Sequence, residues 1–165
     1  MLGHVALPPF QAVVDHHRED LFRFLVAVVG RQEADDAFQE TLMSAIRAYP
    51  RLDGGANVRA WLFTIARRKA IDAHRARVRR PLPVEDVPEP RLTRPDPTAA
   101  NGLGVDAELW ALVRALPAKQ RGAVALRFVA GLSHAEVAAA LGCSEAAARQ
   151  SLYAGLTKLR KEWTG

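Results

Sequence analysis

Cysteine is almost missing from this sequence: Cys143 stands alone among 165 residues. That excludes an intramolecular disulfide and a cysteine-based zinc cluster, and it fits a reducing cytosol. No apolar run reaches the roughly 18 residues of a membrane span. The opening Met1-Leu2-Gly3-His4 lacks a basic stretch followed by an apolar core, so neither membrane insertion nor a signal peptide is expected. No segment alternates with period two, which argues against strands. The marks of catalysis are missing as well. There is no Walker motif, Gly-rich fingerprint or serine elbow. His16 and His17 are adjacent, so one helix face cannot present both to a metal, and His4, His74 and His134 have no ligand spacing. Cys143 has no base near it in sequence. A cytoplasmic protein that is not an enzyme, with no metal and no cofactor, is the expectation.

What is present is a core-forming composition, 49% hydrophobic and 25% charged, in a length that suits one ordinary domain or two small ones. The net charge of +5 is unevenly placed. Residues 1–58 hold 5 basic and 8 acidic side chains, whereas residues 59–80 hold 8 basic and 1 acidic, a net of +7. Such a stretch reads either as a solvated helix face or as the footprint of an anionic partner. Six of the ten prolines lie between Pro81 and Pro97, among Glu85, Asp86, Glu89 and Asp96. Helices do not survive that density, so 81–104 reads as an extended, acidic linker. The fold expected is all-α: two small helical domains, 1–80 and 105–165, joined by this Pro-rich linker.

Spacings of three and four predict a helix from about Phe10 to Val29, ended by Gly30. A second is predicted from about Glu33 to Tyr49, with Ala37, Phe38, Thr41, Leu42, Ala45 and Ile46 inward and Pro50 as its stop. Asn57 is placed to cap a third, which would bury Val58, Trp61, Leu62, Ile65, Ala66 and Ala73 and expose Arg59, Arg67, Arg68, Asp72 and Arg75. Beyond the linker, Asp106–Leu116 is helical in pattern, and Pro117 suits a first helical turn. Gly131 ends that helix, and Ser133-His134-Ala135-Glu136 is a capping box. Ser144 caps a last helix reaching about Trp163, with Ala148, Leu152, Leu156 and Leu159 inward.

The helices Ser133–Leu141 and Ser144–Lys161, joined through Gly142-Cys143, have helix-turn-helix dimensions. Any two amphipathic helices with a glycine turn share that spacing. The case for DNA is that Arg149, Gln150 and Tyr153 would point outward from the second helix, where Arg and Gln can pair with guanine and adenine edges. Ser144, Glu145 and the amides of the first turn would lie beside them, the amides and Ser144 near a phosphate.

Leu116-Pro117-Ala118-Lys119-Gln120-Arg121, Leu126-Arg127-Phe128, Gly131-Leu132-Ser133-His134-Ala135-Glu136-Val137-Ala138 and Leu141-Gly142-Cys143-Ser144-Glu145 together resemble the promoter-binding C-terminal domain of bacterial sigma-70 family sigma factors. Asp36-Ala37-Phe38-Gln39-Glu40-Thr41 resembles that family's core-polymerase-binding helix. Ala60-Trp61-Leu62-Phe63-Thr64-Ile65-Ala66-Arg67, continuing Ala70-Ile71-Asp72, resembles its −10-element helix. The blocks stand in family order, and the size and missing middle domain are similar to the extracytoplasmic-function (ECF) type. The resemblance implies an initiation factor that directs core RNA polymerase, through its β′ and β subunits, to −10/−35 promoter DNA, and it leaves room for an anti-sigma factor as a further partner. The other reading of the residues is a helix-turn-helix regulator acting without polymerase.

The resemblance assigns roles by position. Asp36, Gln39, Glu40, Thr41 and Met43 would grip a coiled coil of β′. Arg59, Trp61, Thr64, Arg67, Arg68, Lys69, Asp72 and Arg75 would meet the −10 element, with the loop before this helix helping to hold an unstacked base. Trp61 reads more readily as core packing than as a base-stacking platform. Arg77, Arg79 and Arg80 would be nonspecific phosphate contacts or solvated. Ser144, Glu145, Arg149, Gln150 and Tyr153 would meet the −35 element. The linker would thread the active-site and RNA-exit region of polymerase, or act as a tether only. Two departures stand out: Arg68 replaces a frequent Asn, and Ser151, Ala154 and Leu156 stand where basic residues are common. No autoregulatory extension is expected after Trp163.

Overall fold

The computed structural model of the chain describes residues 6–79 and 107–163. The expected linker, Arg80 and Asp106 lie outside the described residues. Among the described residues every regular element is helical, as the absence of alternating segments implies. The order is α1 (Phe10–Val29), α2 (Arg31–Ala48), a single 3-10 turn (Tyr49–Arg51), α3 (Val58–Arg79), α4 (Ala107–Ala115), α5 (Ala118–Phe128), α6 (His134–Leu141) and α7 (Glu145–Glu162).

The helix ends follow from local chemistry. Gly30 closes α1 with its amide on the carbonyl of Val26 and has φ +83°, a conformation that suits glycine. It also serves as N-cap of α2, so α2 starts at Arg31, two residues before the expected position. Asn57 accepts a hydrogen bond from the amide of Ala60 at 3.0 Å, as the capping pattern predicts. Ser133 and Ser144 accept from the amides of Glu136 and Ala147 at 3.2 and 3.1 Å. At the end of α6 the amides of Gly142 and Cys143 reach back to Ala139 and Ala138, with Gly142 left-handed at φ +68°. This Schellman closure sets the sharp turn into α7.

Helices α1, α2 and α3 pack as a three-helix unit around Leu21, Phe24, Leu25, Leu62 and Phe63, all essentially inaccessible to solvent. Phe24 and Phe63 meet edge to face at 5.4 Å. In the second unit α5, α6 and α7 close over Leu126, Leu132, Val137, Ala148 and Leu152. The inner stripe of α3 is Leu62, Phe63, Ala66 and Ala70. Val58, Trp61, Ile65 and Ala73 are only half-buried, which corrects the expected register. Trp61 lies 6.0 Å from Tyr49, itself 5.3 Å from Phe10, so its ring packs at the edge of the core.

The two units share one continuous hydrophobic cluster that runs from Phe24 and Leu62 to Val124 and Leu141. The contact depends on small residues. A Cβ at Gly122 of α5 would stand 3.1 Å from Arg67 Nε and 3.2 Å from Leu141 Cδ2. Glycine costs a helix interior about 1 kcal/mol relative to alanine, and here it admits the close approach of α3. Gly122→Leu keeps a good helix former but drives a side chain into that contact. Overpacking of this kind costs about 1–3 kcal/mol where the interface must hold. The expected outcome is separation of the two units, read as a larger radius of gyration in solution scattering with unchanged helical content by circular dichroism.

Candidate functional site

Helix α2 displays Asp36, Gln39 and Glu40 on its solvent side, with Met43 47% and Ile46 56% exposed along the same strip. Exposed large apolar side chains beside carboxylates suit a protein partner better than bare solvent. Ile46 belongs to this strip although its spacing also fits the inner stripe, which is why the sequence alone assigns it inward. Thr41 does not belong to the strip. It is fully buried, and its hydroxyl donates to the carbonyl of Ala37 at 2.6 Å. A buried, satisfied hydroxyl offers nothing to a partner, so Thr41 is a packing residue. A groove of about 570 Å³ between α2 and α3 places Asp36, Gln39 and Glu40 beside Lys69 and Asp72. Glu33 and Arg77 pair at 3.2 Å in the same groove.

The basic face of α3 is divided. Arg68 and Arg75 are exposed and Lys69 half-exposed, which leaves these cations accessible for phosphate contacts, and Asp72 is exposed beside them. Arg59 and Arg67 are not, against expectation. The Arg59 guanidinium donates to the carbonyl of Ala130 at 2.9 Å through Nε, and Nη2 reaches the same oxygen. It also pairs with Asp20 at 3.2 Å, contacts His17 Nδ1 at 3.1 Å and lies 5.1 Å from the centre of the Phe63 ring. Arg59 therefore ties α1, α3 and the turn after α5 together. Arg67 is driven against Gly122, and its buried Nε has no hydrogen-bond partner. Burial holds its guanidinium below the ordinary arginine range, with Arg68 adding to the effect and Cys143 opposing it. The hydroxyl of Thr64 donates to the carbonyl of Ala60 at 2.7 Å, a bond internal to the helix.

Helix α7 buries Ala148, Leu152, Gly155 and Leu159. Ser144, Glu145, Arg149 and Gln150 are exposed, and Tyr153 is 72% exposed. All five expected residues of the recognition helix thus share one accessible region at its start. Ser144 is committed to its cap. Arg149 is bound to Glu145 at 2.8 Å, an exposed pair of the kind worth at most about 1 kcal/mol, so the guanidinium is readily released from the carboxylate.

Residues 13–80 match the family described as Sigma-70 region 2, and residues 106–159 match Sigma-70, region 4. Over 161 residues the chain is 37% identical to the ECF RNA polymerase sigma factor SigD of Mycobacterium tuberculosis (strain ATCC 25618 / H37Rv), an alignment that covers 91% of this chain and 74% of that protein. The chain belongs to the ECF RNA polymerase sigma factors. A second relative, the ECF RNA polymerase sigma factor SigX of Bacillus subtilis (strain 168), is 31% identical over 161 residues, covering 92% of this sigma factor and 82% of its relative. The fold is similar to that of the sigma factor RpoE in complex with the anti-sigma factor NepR from Bartonella quintana, with a TM-score of 0.70, 23% identity, and coverage of 92% of this chain and 94% of that one. No helix among the described residues is long and apolar enough to cross a membrane.

The Arg59 network carries a pH consequence. Burial lowers the His17 pKa from its ordinary 6.5, with Arg59 and His16 adding to the effect and Asp20 opposing it. In the window just below pH 6.5 the unfolded chain therefore binds a proton that the folded chain refuses. Stability should rise with pH across that window and level off above it. His17→Gln should flatten this dependence in urea melts taken between pH 5 and 8.

Proposed function

We propose that this ECF sigma factor binds core RNA polymerase through the exposed strip of α2 and brings it to promoter DNA, with α3 at the −10 element and the first turns of α7 at the −35 element. The observation that carries this reading is the coexistence, in one chain matching regions 2 and 4, of an exposed acidic and apolar strip on α2, an accessible basic face on α3 and an accessible polar face at the start of α7. A helix-turn-helix regulator acting alone needs no such strip. Initiation factors of this kind act through polymerase and carry no chemistry of their own, and we place this one in the cytoplasm with its polymerase.

Asp36, Gln39, Glu40, Met43 and Ile46 supply the polymerase contact in this reading. Arg68, Lys69, Asp72 and Arg75 supply the first contacts at the −10 element. Arg67 joins them only after the C-terminal unit leaves α3, because its guanidinium points into the seam between the two units. Arg59 is a structural tie rather than a DNA contact. Trp61 and Thr64 support the helix. At the −35 element Arg149 and Gln150 read base edges, with Tyr153 beside them and Ser144 holding the helix start. Few basic neighbours surround Arg149, so the −35 contact by itself is weak, and useful affinity comes from both units being held on one polymerase.

Run-off transcription with purified core polymerase tests this directly. The wild-type chain should confer initiation at specific start sites. Asp36→Ala with Gln39→Ala and Glu40→Ala should reduce co-purification with core at least tenfold without loss of helicity, since all three side chains are exposed. Unchanged co-purification would remove the α2 strip from the interface.

On a promoter with both elements, Arg149→Ala should lose most of its dependence on the −35 sequence, a loss of about 1–3 kcal/mol in discrimination. Transcription from base-substituted promoters measures it.

A further inference from the structure

Arg59 belongs to the N-terminal unit and grips the backbone of the C-terminal one. Its Nε donates to the carbonyl of Ala130 at 2.9 Å, and Nη2 reaches the same oxygen. Ala130 lies two residues past the end of α5, where the carbonyls of a helix terminus carry partial negative charge. The bond is partly buried, which limits competition from water. Arg121 crosses the seam in the opposite direction, but its bond to the carbonyl of Val28 is 3.4 Å long, beyond the usual range of a hydrogen bond. The Arg59 contact is the firmer of these two.

His17 holds the guanidinium in this position. Nη1 of Arg59 stands 3.1 Å from His17 Nδ1. A guanidinium only donates, so Nδ1 accepts, and the ring is neutral with its proton on Nε2. A second proton would occupy Nδ1, turn the acceptor into a donor and set two cations against each other. Asp20 cannot neutralise both, because its carboxylate already faces Arg59 at 3.2 Å and Arg23 at 3.8 Å. Among the described residues, the charged groups that act on His17 are Arg59 from α3 and His16 and Asp20 from α1 itself. Burial of the ring opposes its protonation most, followed by Arg59 and His16, and Asp20 alone favours it.

We propose that Arg59 and His17 form a pH-sensitive latch between the two units: the neutral ring holds the guanidinium on the Ala130 carbonyl, and protonation of the ring releases it and lets the units part. Once they part, Arg59 is free to swing away from the ring into solvent. The open chain therefore takes up the proton more readily than the closed one. By linkage, falling pH favours opening, with the open-to-closed ratio rising by up to about tenfold per pH unit for one proton. The window lies below the ordinary histidine value of 6.5, because the closed chain holds His17 beneath it. Above that window the ring is neutral in both states and the latch stays shut. Opening uncovers Arg67, whose Nε is buried against Gly122. The latch rests on the packing of the two units and goes beyond the promoter-recognition reading, which it does not need.

Solution scattering and circular dichroism on the full chain, without polymerase or DNA, separate opening from unfolding when taken in steps from pH 8 to pH 5 at constant ionic strength. The radius of gyration should grow below pH 6.5 while helical content holds. His17→Asn sets a non-titrating amide oxygen close to the place of Nδ1, and it should keep the radius small throughout. That variant retains His74, which also lies in the seam, and so assigns the proton to His17. Arg59→Gln removes the guanidinium and should give the large radius at every pH. Should Arg59→Gln fail to fold, the comparison of wild type with His17→Asn decides alone. A wild-type radius that stays constant down to pH 5 overturns the latch, as does growth that comes only with loss of helix. So does a His17→Asn chain that opens as the wild type does, or a folded Arg59→Gln chain that stays compact.

Discussion

Helix α3 must satisfy two burials at once, and the rest of the molecule is arranged around that constraint. Its net charge of +6 exceeds the +5 of the whole chain, yet it is covered on one side by α1 and α2 and on another by α5 and α6. A helix so placed needs small residues at its contacts. Ala60, Ala66 and Ala70 provide them from α3, and Gly122 provides one from α5. The arginines that fall on the covered side then need partners from within the protein. Arg59 finds the carbonyl of Ala130, Asp20 and His17. Arg67 finds packing but no partner for its Nε. An incompletely satisfied guanidinium costs stability, so the seam holds less tightly than its apolar contacts alone suggest.

Helix caps and helix-turn-helix geometry were legible in the sequence because they depend on a few adjacent residues. Asn57, Ser133, Ser144 and Gly142 each act within four residues of their own position, and each does what its type and place suggest. The exposed start of α7 was legible for the same reason, since its buried residues recur with helical spacing. The start of α2 was not, because Gly30 ends one helix and begins the next with no intervening loop.

What escaped the sequence lies in contacts between distant segments. A helical period identifies one apolar stripe, whereas α3 is contacted on more than one side. The residues facing the C-terminal unit therefore look like solvent-facing charge, and Arg59 and Arg67 read as DNA contacts. Phe63 sits two positions from both Trp61 and Ile65, the residues that suggest the stripe, yet it is the side chain that meets Phe24. Thr41 and Ile46 share the same predicted stripe but part in the structure. Thr41 is inward by spacing and a polymerase contact by resemblance, and the structure buries it, with its hydroxyl bonded to Ala37, whereas Ile46 reads as core but is exposed. The packing of the two units was hidden by the proline-rich stretch between them, whose composition signals separation and says nothing about what its ends bring together.

The division of the arginines has a mechanistic meaning that follows from exposure alone. Arg68 and Arg75 are available while the units are together, and Arg67 is not. Long-range attraction to DNA depends on the available charges and on ionic strength, so the closed chain still feels promoter phosphates. In the reading proposed above, close engagement of α3 with DNA requires the C-terminal unit to move, and polymerase supplies a reason for it to do so. If the α2 strip and the recognition helix are held at separate places on one large partner, the binding free energy at both places works against the seam. The weak, partly unsatisfied contact between the units then becomes a threshold: DNA alone opposes it with a few phosphate contacts, whereas polymerase and promoter together oppose it with two protein surfaces and two DNA elements. On that reading, packing across Gly122 favours promoter engagement by the assembled complex over engagement by the free chain.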